Sequence, residues 1–290
     1  MISASDVKKL REMTGAGMMD CKKALTETNG DFDAAVDYLR EKGISKAAKK
    51  ADRIAAEGLA NIYIEGNNAV VVEVNSETDF VAKNVEFQEL VDTIGKAILG
   101  SEAQTLEDAL NVSTSEGTIN DLIVNATAKI GEKISLRRFE KVSKTDDQVF
   151  GSYLHMGGKI ASLMVVEGSN EAVAKDVAMQ AAAMRPSYLT REEVPTSEVE
   201  HEKSVLTEQA LTEGKKAEFV DKIIVGRLEK FYEDICLVDQ TFVKDSSMKV
   251  KDYLKSNSSE AIKMVRYEVG EGMEKRSDNF AEEVRSQLGN

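Results

Sequence analysis

The chain has 290 residues, 42% of them hydrophobic and 31% charged, with a formal net charge of −13. That is enough chain for two or more domains with sizeable cores. The acidic balance disfavours general nucleic-acid binding, which needs basic surface for phosphates, and no apolar run approaches the ~20 residues of a membrane span. The charge is uneven: residues 1–54 hold 11 basic and 9 acidic side chains, the rest 27 basic and 42 acidic. An acidic body suits a basic patch on a protein partner, or serves solubility alone. The opening "MISASDVKKLREM" has neither an apolar signal core nor transit-peptide character. Cys21 and Cys236 lie far apart and are expected to be reduced thiols of a cytoplasmic protein.

Residues 1–43 read as three short helices. The first has Val7 and Leu10 behind a Ser3–Asp6 capping pattern. The second, "MMDCKKALTET", stops at Asn29-Gly30, and the third, "DFDAAVDYLREK", stops at Gly43. "ISKAAKKADR" then looks like a helical linker; its basic run Lys46–Arg53 reads as solvated linker before binding patch. "LANIYIE", a Gly66-Asn67-Asn68 turn and "AVVVEVN" form a hairpin. "ETDFVAKN" follows and opens a helix carrying Phe87, Leu90, Val91, Ile94 and Ile98. A helix over 118–131 and a strand "ISLRRFEKV" come next.

A second hairpin, "VFGSYLH" and "IASLMVVE" about Gly157-Gly158, leads into the helix "NEAVAKDVAMQAAAM", which ends before Pro186. "SEVEHEKSVLTEQAL" and "AEFVDKIIVGRLEKFYED" predict an antiparallel helical hairpin. After "ICLVDQTFVKD" the chain predicts a helix about "MKVKDYLKS", a strand "IKMVRYEVG" and a final amphipathic helix "NFAEEVRSQL".

The strand–turn–strand–helix unit thus occurs twice. Val81-Ala82-Lys83-Asn84 and Val173-Ala174-Lys175-Asp176 are near copies, 92 positions apart, at the start of each helix. Phe80 precedes the first and Ala172 the second. Thr78 or Ser76 can cap the first helix, and Asp79 suits its positive end. Phe80 is then either a staple on its own helix or an exposed aromatic that anchors a partner. The twin's alanine argues that the fold does not require it.

Groups for covalent chemistry are scarce. Gly157-Gly158-Lys159 lacks the rest of a phosphate loop, and Gly15-Ala16-Gly17 neither follows a strand nor completes a dinucleotide fingerprint. Two histidines and two distant cysteines build no zinc cluster, and no local signature supports a Cys–His pair. His155 beside the Gly-Gly turn reads first as a polar turn residue. Met18 and Met19 read first as core, with an adaptable contact surface as the alternative.

The stretches "LREMTGAGMMDCKKAL" (Leu10–Leu25) and "EVNSETDFVAK" (Glu73–Lys83) resemble the two signatures of the bacterial elongation factor Ts family. The resemblance covers the whole chain. It implies an α+β protein: a three-helix ubiquitin-associated-like domain with linker over 1–54, a duplicated α/β core over 55–140 and 141–187, a projecting helical hairpin over 188–228, the rest of the second core half over 229–269 and a C-terminal helical module over 270–290. It implies a guanine nucleotide exchange factor that binds the GDP form of elongation factor Tu, passes through a nucleotide-free complex and lets GTP enter, without metal, cofactor, nucleic acid or membrane. Partner contacts would come from Met18, Met19 and Lys22, from Thr78, Asp79, Phe80 and Val81, from Ile130 and Gly131, and from His155. A homodimer through 188–228 is implied for some members. The rival readings are a polypeptide-binding adaptor built on the N-terminal module, and an enzyme using Cys21 or Cys236.

Overall fold

In the computed structural model, which describes residues 2–14, 16–168 and 170–274 (side chains 44–46 and 217–218 aside), helix α1 (Ala4–Thr14) starts on its expected reciprocal cap. The Ser3 amide donates to Asp6 at 3.0 Å and the Asp6 amide to Ser3 Oγ at 3.1 Å. Helix α2 (Met18–Glu27) closes through Asn29 and Gly30, both at positive φ. Val7, Leu10, Cys21, Ala24, Leu25 and Ala35 form one small core with the third helix.

That helix, α3 (Phe32–Ala48), does not stop at Gly43. It runs on because Gly43 is buried against α7 (Ile119–Ile130), where a Cβ would meet Ala128 at 3.5 Å. Arg40 also reaches Asp121 in the first turn of α7 at 2.8 Å. Tertiary packing thus overrides the ~1 kcal/mol helix penalty of a glycine. The helical stretch of the linker ends at Ala48 and gives way to turns over 49–53.

The described chain divides into two compact units, one holding the chain up to Tyr63, Val70–Lys141 and the chain from Glu268, the other Ile64–Ala69 and Val142–Tyr267. In the first, strands β1 (Glu57–Glu65) and β2 (Asn68–Ser76) lead to the short helix α4 (Asp79–Ala82) and to α5 (Val85–Leu99). Helix α6 (Leu106–Leu110), a two-residue hairpin of β3 (Ser113–Thr114) and β4 (Gly117–Thr118), and α7 follow, and β5 (Ser135–Ser143) completes a sheet of order β1-β2-β5. Val70, Val72 and Val74 on β2 pack with Phe87, Val91, Ile94 and Ile98 of α5 and Ile119 and Ile123 of α7. Gly95 admits the Tyr63 ring, which a Cβ would meet at 2.0 Å.

Strand β2 is buried on both faces. By strand alternation its second face carries Val71, Glu73 and Asn75. The Glu73 carboxylate accepts from Arg137 at 2.9 Å, Arg138 at 2.6 Å, the Gly270 amide at 2.9 Å and Asn75 at 3.2 Å. Burial opposes its ionisation, but the Gly270 amide and the two guanidiniums outweigh that and hold its pKa below the ordinary value. The lock ties the chain at Gly270 to the end of the motif strand.

The second unit repeats the plan. Strands β6 (Gln148–His155) and β7 (Ile160–Glu167) pair antiparallel from Gln148↔Glu167 to His155↔Ile160 and lead to α8 (Glu171–Met184). Helices α9 (Thr196–Thr212) and α10 (Ala217–Ile235) come next, then a small hairpin of β8 (Thr241–Phe242) and β9 (Asp245–Lys249), helix α11 (Val250–Ser256) and β10 (Glu260–Glu268). The sheet order is β10-β7-β6. The duplication is therefore larger than hairpin plus helix: each unit runs strand, strand, helix, small hairpin, helix, strand, and the last strand joins the free edge of the second. Aspartates open the matching helices alike, Asp121 accepting from the Thr118 amide at 3.0 Å and Asp252 from the Lys249 amide at 3.3 Å. In the second unit close packing is reversed: Gly151 on β6 faces the backbone of Ala174 on α8, where a Cβ would lie 2.1 Å away.

The α9–α10 pair is inserted between α8 and the small hairpin. Leu206, Ala210, Val220, Ile224 and Leu228 form its own core. Its entry and exit lie side by side: Tyr188 bridges Cys236, and the amides of Ser187 and Tyr188 both donate to the Ile235 carbonyl. Arg191 seals the base, gripping Asp239 at 2.7 Å and Glu229 at 2.8 Å under the Tyr232 ring. The expected final helix "NFAEEVRSQL" lies outside the described residues.

Candidate functional site

The corner after β2 is built by competing caps. Thr78 sits in extended backbone and caps α4, its Oγ accepting from the Val81 amide at 3.4 Å. Ser76 Oγ donates to the Thr78 carbonyl at 3.0 Å. Asp79 pairs with Lys83 one turn on, at 2.7 Å. Val81 and Ala82 drop into the core, whereas Phe80 is 80% exposed. The staple alternative for Phe80 is thereby overturned; its ring has the Lys83 ammonium 5.9 Å from its centre.

The helix expected from "ETDFVAKN" breaks in two. Asn84 closes α4 and caps α5, accepting from the Glu86 amide at 2.8 Å. In the twin, Asn170 caps a single helix α8, accepting from the amides of Ala172 and Val173. Asp176, which matches Asn84, stays inside that helix and is held by Tyr253 at 2.8 Å and by Lys244. Val173 and Ala174 are buried like Val81 and Ala82, and Ala172 is exposed like Phe80. Both units need the Val-Ala pair for packing, and in neither is the preceding position part of a core.

Two residues after α7 grip this corner. Gly131 ends the helix at φ +90°, a left-handed cap that favours glycine. Glu132 then accepts from both the Thr78 amide, at 3.0 Å, and the Thr78 hydroxyl, at 2.7 Å. In return the Glu77 carboxylate accepts from the Lys133 amide at 2.6 Å and from Arg53 at 3.2 Å, and Lys133 Nζ donates to the Arg53 carbonyl at 3.0 Å. Glu77, Glu132 and Lys133 were not singled out in the sequence. No local pattern marks them, because their partners are 24 to 80 positions away.

Of the residues singled out, Thr78, Asp79, Phe80 and Val81 form the corner, with Val81 buried as its anchor. Ile130 is half-buried at the end of α7, and Gly131 next to it is exposed. Met18, Met19 and Lys22 share one side of α2. The core reading of the two methionines is corrected: Met18 is 57% and Met19 74% exposed, because Cys21, Ala24 and Leu25 take the inward positions. His155 is exposed at the tip of the β6–β7 hairpin, its ring stacked 6.0 Å from Tyr153, between exposed Leu154 and Met156. The described part of the Lys46–Arg53 run is mostly solvated, with Arg53 engaged to Glu77.

Residues 77–271 match the family model described as elongation factor TS, a span that opens on the Phe80 corner and ends at the Glu73-locked segment. The chain belongs to the elongation factor Ts family. Members of this elongation factor family serve translation. The signature Leu10–Leu25 precedes the matched span. Among the described residues no group of histidine, cysteine and acidic side chains could hold a metal, and no helix is long and apolar enough to cross a membrane. Both cysteines are buried, and burial pushes the Cys236 thiol up to about 11, which leaves it protonated at neutral pH.

Proposed function

We propose that this elongation factor Ts protein is a guanine nucleotide exchange factor for elongation factor Tu, acting in the cytoplasm on the GDP-bound form and passing through a nucleotide-free complex. The observation that carries the reading is Phe80: a large aromatic, 80% exposed, on a braced corner whose twin presents Ala172. A solvent-exposed aromatic that the fold does not use is an anchor awaiting a partner surface. Phe80 and Asp79 enter the nucleotide-binding domain and disturb its magnesium and phosphate region. Met18, Met19 and Lys22, on a ubiquitin-associated-like helical module, dock the same domain. Ile130 and Gly131 flank the corner, His155 meets another domain of the partner, and the α9–α10 hairpin serves self-association.

Exchange requires negative coupling and no covalent step: factor and nucleotide weaken each other's binding by the same ratio. Accelerating GDP loss ~10⁴-fold takes roughly 5.5 kcal/mol of differential stabilisation. Burying one phenylalanine supplies about 1.5–3 kcal/mol, so the α2 face and the His155 tip must share the load. Stopped-flow release of fluorescent GDP from elongation factor Tu, with and without this chain, tests the proposal. Strong acceleration at substoichiometric factor is expected; an unchanged rate refutes it.

A further inference from the structure

A wedge transmits force only if its mounting resists. Phe80 sits on α4, a single turn of four residues that its own backbone bonds cannot make stable. Stiffness must come from outside the turn. The structure supplies it through a reciprocal pair of carboxylates: Glu132 accepts both the amide and the hydroxyl hydrogens of Thr78, and Glu77 accepts the amide of Lys133. Two adjacent residues on each side thus exchange three hydrogen bonds across the corner, and charge-assisted bonds of this kind are the strong ones. The Thr78 hydroxyl joins the two sides, donating to Glu132 while accepting from Val81 of α4.

The twin unit serves as an internal control. There the matching loops also adjoin, Gly168 lying against Ser258 and Ser259. A left-handed residue again ends the helix, Ser258 at φ +51°. The residue after it is Ser259, whose hydroxyl turns back to the Asn257 carbonyl at 3.1 Å. A hydroxyl has one oxygen and cannot reproduce the two-oxygen fork with which a carboxylate receives two separate donors. The corner that carries Phe80 therefore has a carboxylate mounting at the place where the corner that carries Ala172 has a serine.

We propose that Glu132 is a positioning residue for nucleotide exchange: by holding Thr78 through both of its donors, it fixes the one-turn helix that presents Phe80 to the GTPase. The inference rests on the functional reading given above and assigns a role to a residue that touches no part of the wedge itself. Loss of the clamp leaves Phe80 exposed but free to swing, and a swinging side chain must be ordered at the moment of binding.

The test is GDP release from elongation factor Tu at limiting factor, with Glu132→Ala, Phe80→Ala and the double variant, and urea midpoints of each free protein. Glu132→Ala is expected to slow release about tenfold, equivalent to about 1.4 kcal/mol, with a cooperative unfolding transition retained. In the Phe80→Ala background the same change should cost much less than tenfold, because the clamp acts through α4, whose Phe80 is then gone and whose Asp79 alone remains to be positioned. Thr78→Val, which removes the hydroxyl and keeps the shape, should slow release severalfold, and Thr78→Ser should recover most of that loss; this pair decides the matter if Glu132→Ala fails to fold. Release unchanged in folded Glu132→Ala, or losses that simply add in the double variant, would overturn the clamp while a slow Phe80→Ala still upholds the wedge. A Phe80→Ala protein as fast as wild type overturns both.

Discussion

Phe80→Ala separates a partner anchor from a core residue by two numbers that move in opposite ways. In the free protein Phe80 is 80% exposed, so about a fifth of its side chain contributes burial. Full burial of a phenylalanine stabilises by about 1.5–3 kcal/mol; a fifth of that is about 0.3–0.6 kcal/mol. The exposed contact with Lys83 adds roughly 0.5–1 kcal/mol, and the better helix propensity of alanine returns about 0.5 kcal/mol. The free variant should therefore unfold within about 1 kcal/mol of wild type, far from the ~3–5 kcal/mol of a buried Phe→Ala change. In the complex the other four-fifths of the ring become available, about 1.2–2.4 kcal/mol on the same scale. GDP release at limiting factor should slow by roughly 10- to 50-fold. Urea midpoints and stopped-flow release on the same preparations check both values. A large midpoint drop with normal release would show that Phe80 supports the fold and that the comparison with Ala172 misled.

Three further outcomes are expected. Gly151→Ala should destabilise the second unit by at least about 2 kcal/mol, since its Cβ would fall 2.1 Å from the Ala174 backbone; a midpoint equal to wild type would disprove that close approach. Replacing residues 190–234 by a short Gly/Ser linker should leave a folded core, because the bridge between Tyr188 and Cys236 already brings the ends together. Sedimentation should then show any self-association lost, and an unfolded product would mean that the hairpin is integral to the core. Glu73→Gln should cost about 2–3 kcal/mol at neutral pH, below the usual 3–5 kcal/mol for a broken buried pair because both guanidiniums are partly exposed. With its folded pKa held below the ordinary glutamate value of 4.5, Glu73 contributes its full stabilisation above pH 4.5 and loses it as pH falls through the folded value. Wild type should thus lose stability toward acid more steeply than Glu73→Gln; equal slopes would refute the lock.

The sequence by itself determined the elements whose signals are local. Capping at Ser3 and Asp6, alternation in "LANIYIE" and the four-four-three spacing of Val220, Ile224, Leu228 and Phe231 each act within a few residues, so they were legible without a fold. The near-identical tetrapeptides gave away the duplication for the same reason. Only the tertiary structure decided where local preference lost. Helix α3 crosses Gly43 because α7 covers it, and the "ETDFVAKN" helix breaks at Asn84 because an asparagine that caps α5 ends the turn before it. Met18 and Met19 face solvent because Cys21, Ala24 and Leu25 fill the inward side of a short helix. The Glu132–Thr78 clamp and the Glu73 lock join residues 54 and 197 positions apart. Hydrogen bonds over such separations leave no periodic trace along the chain, since their geometry exists only after the sheets and helices have packed.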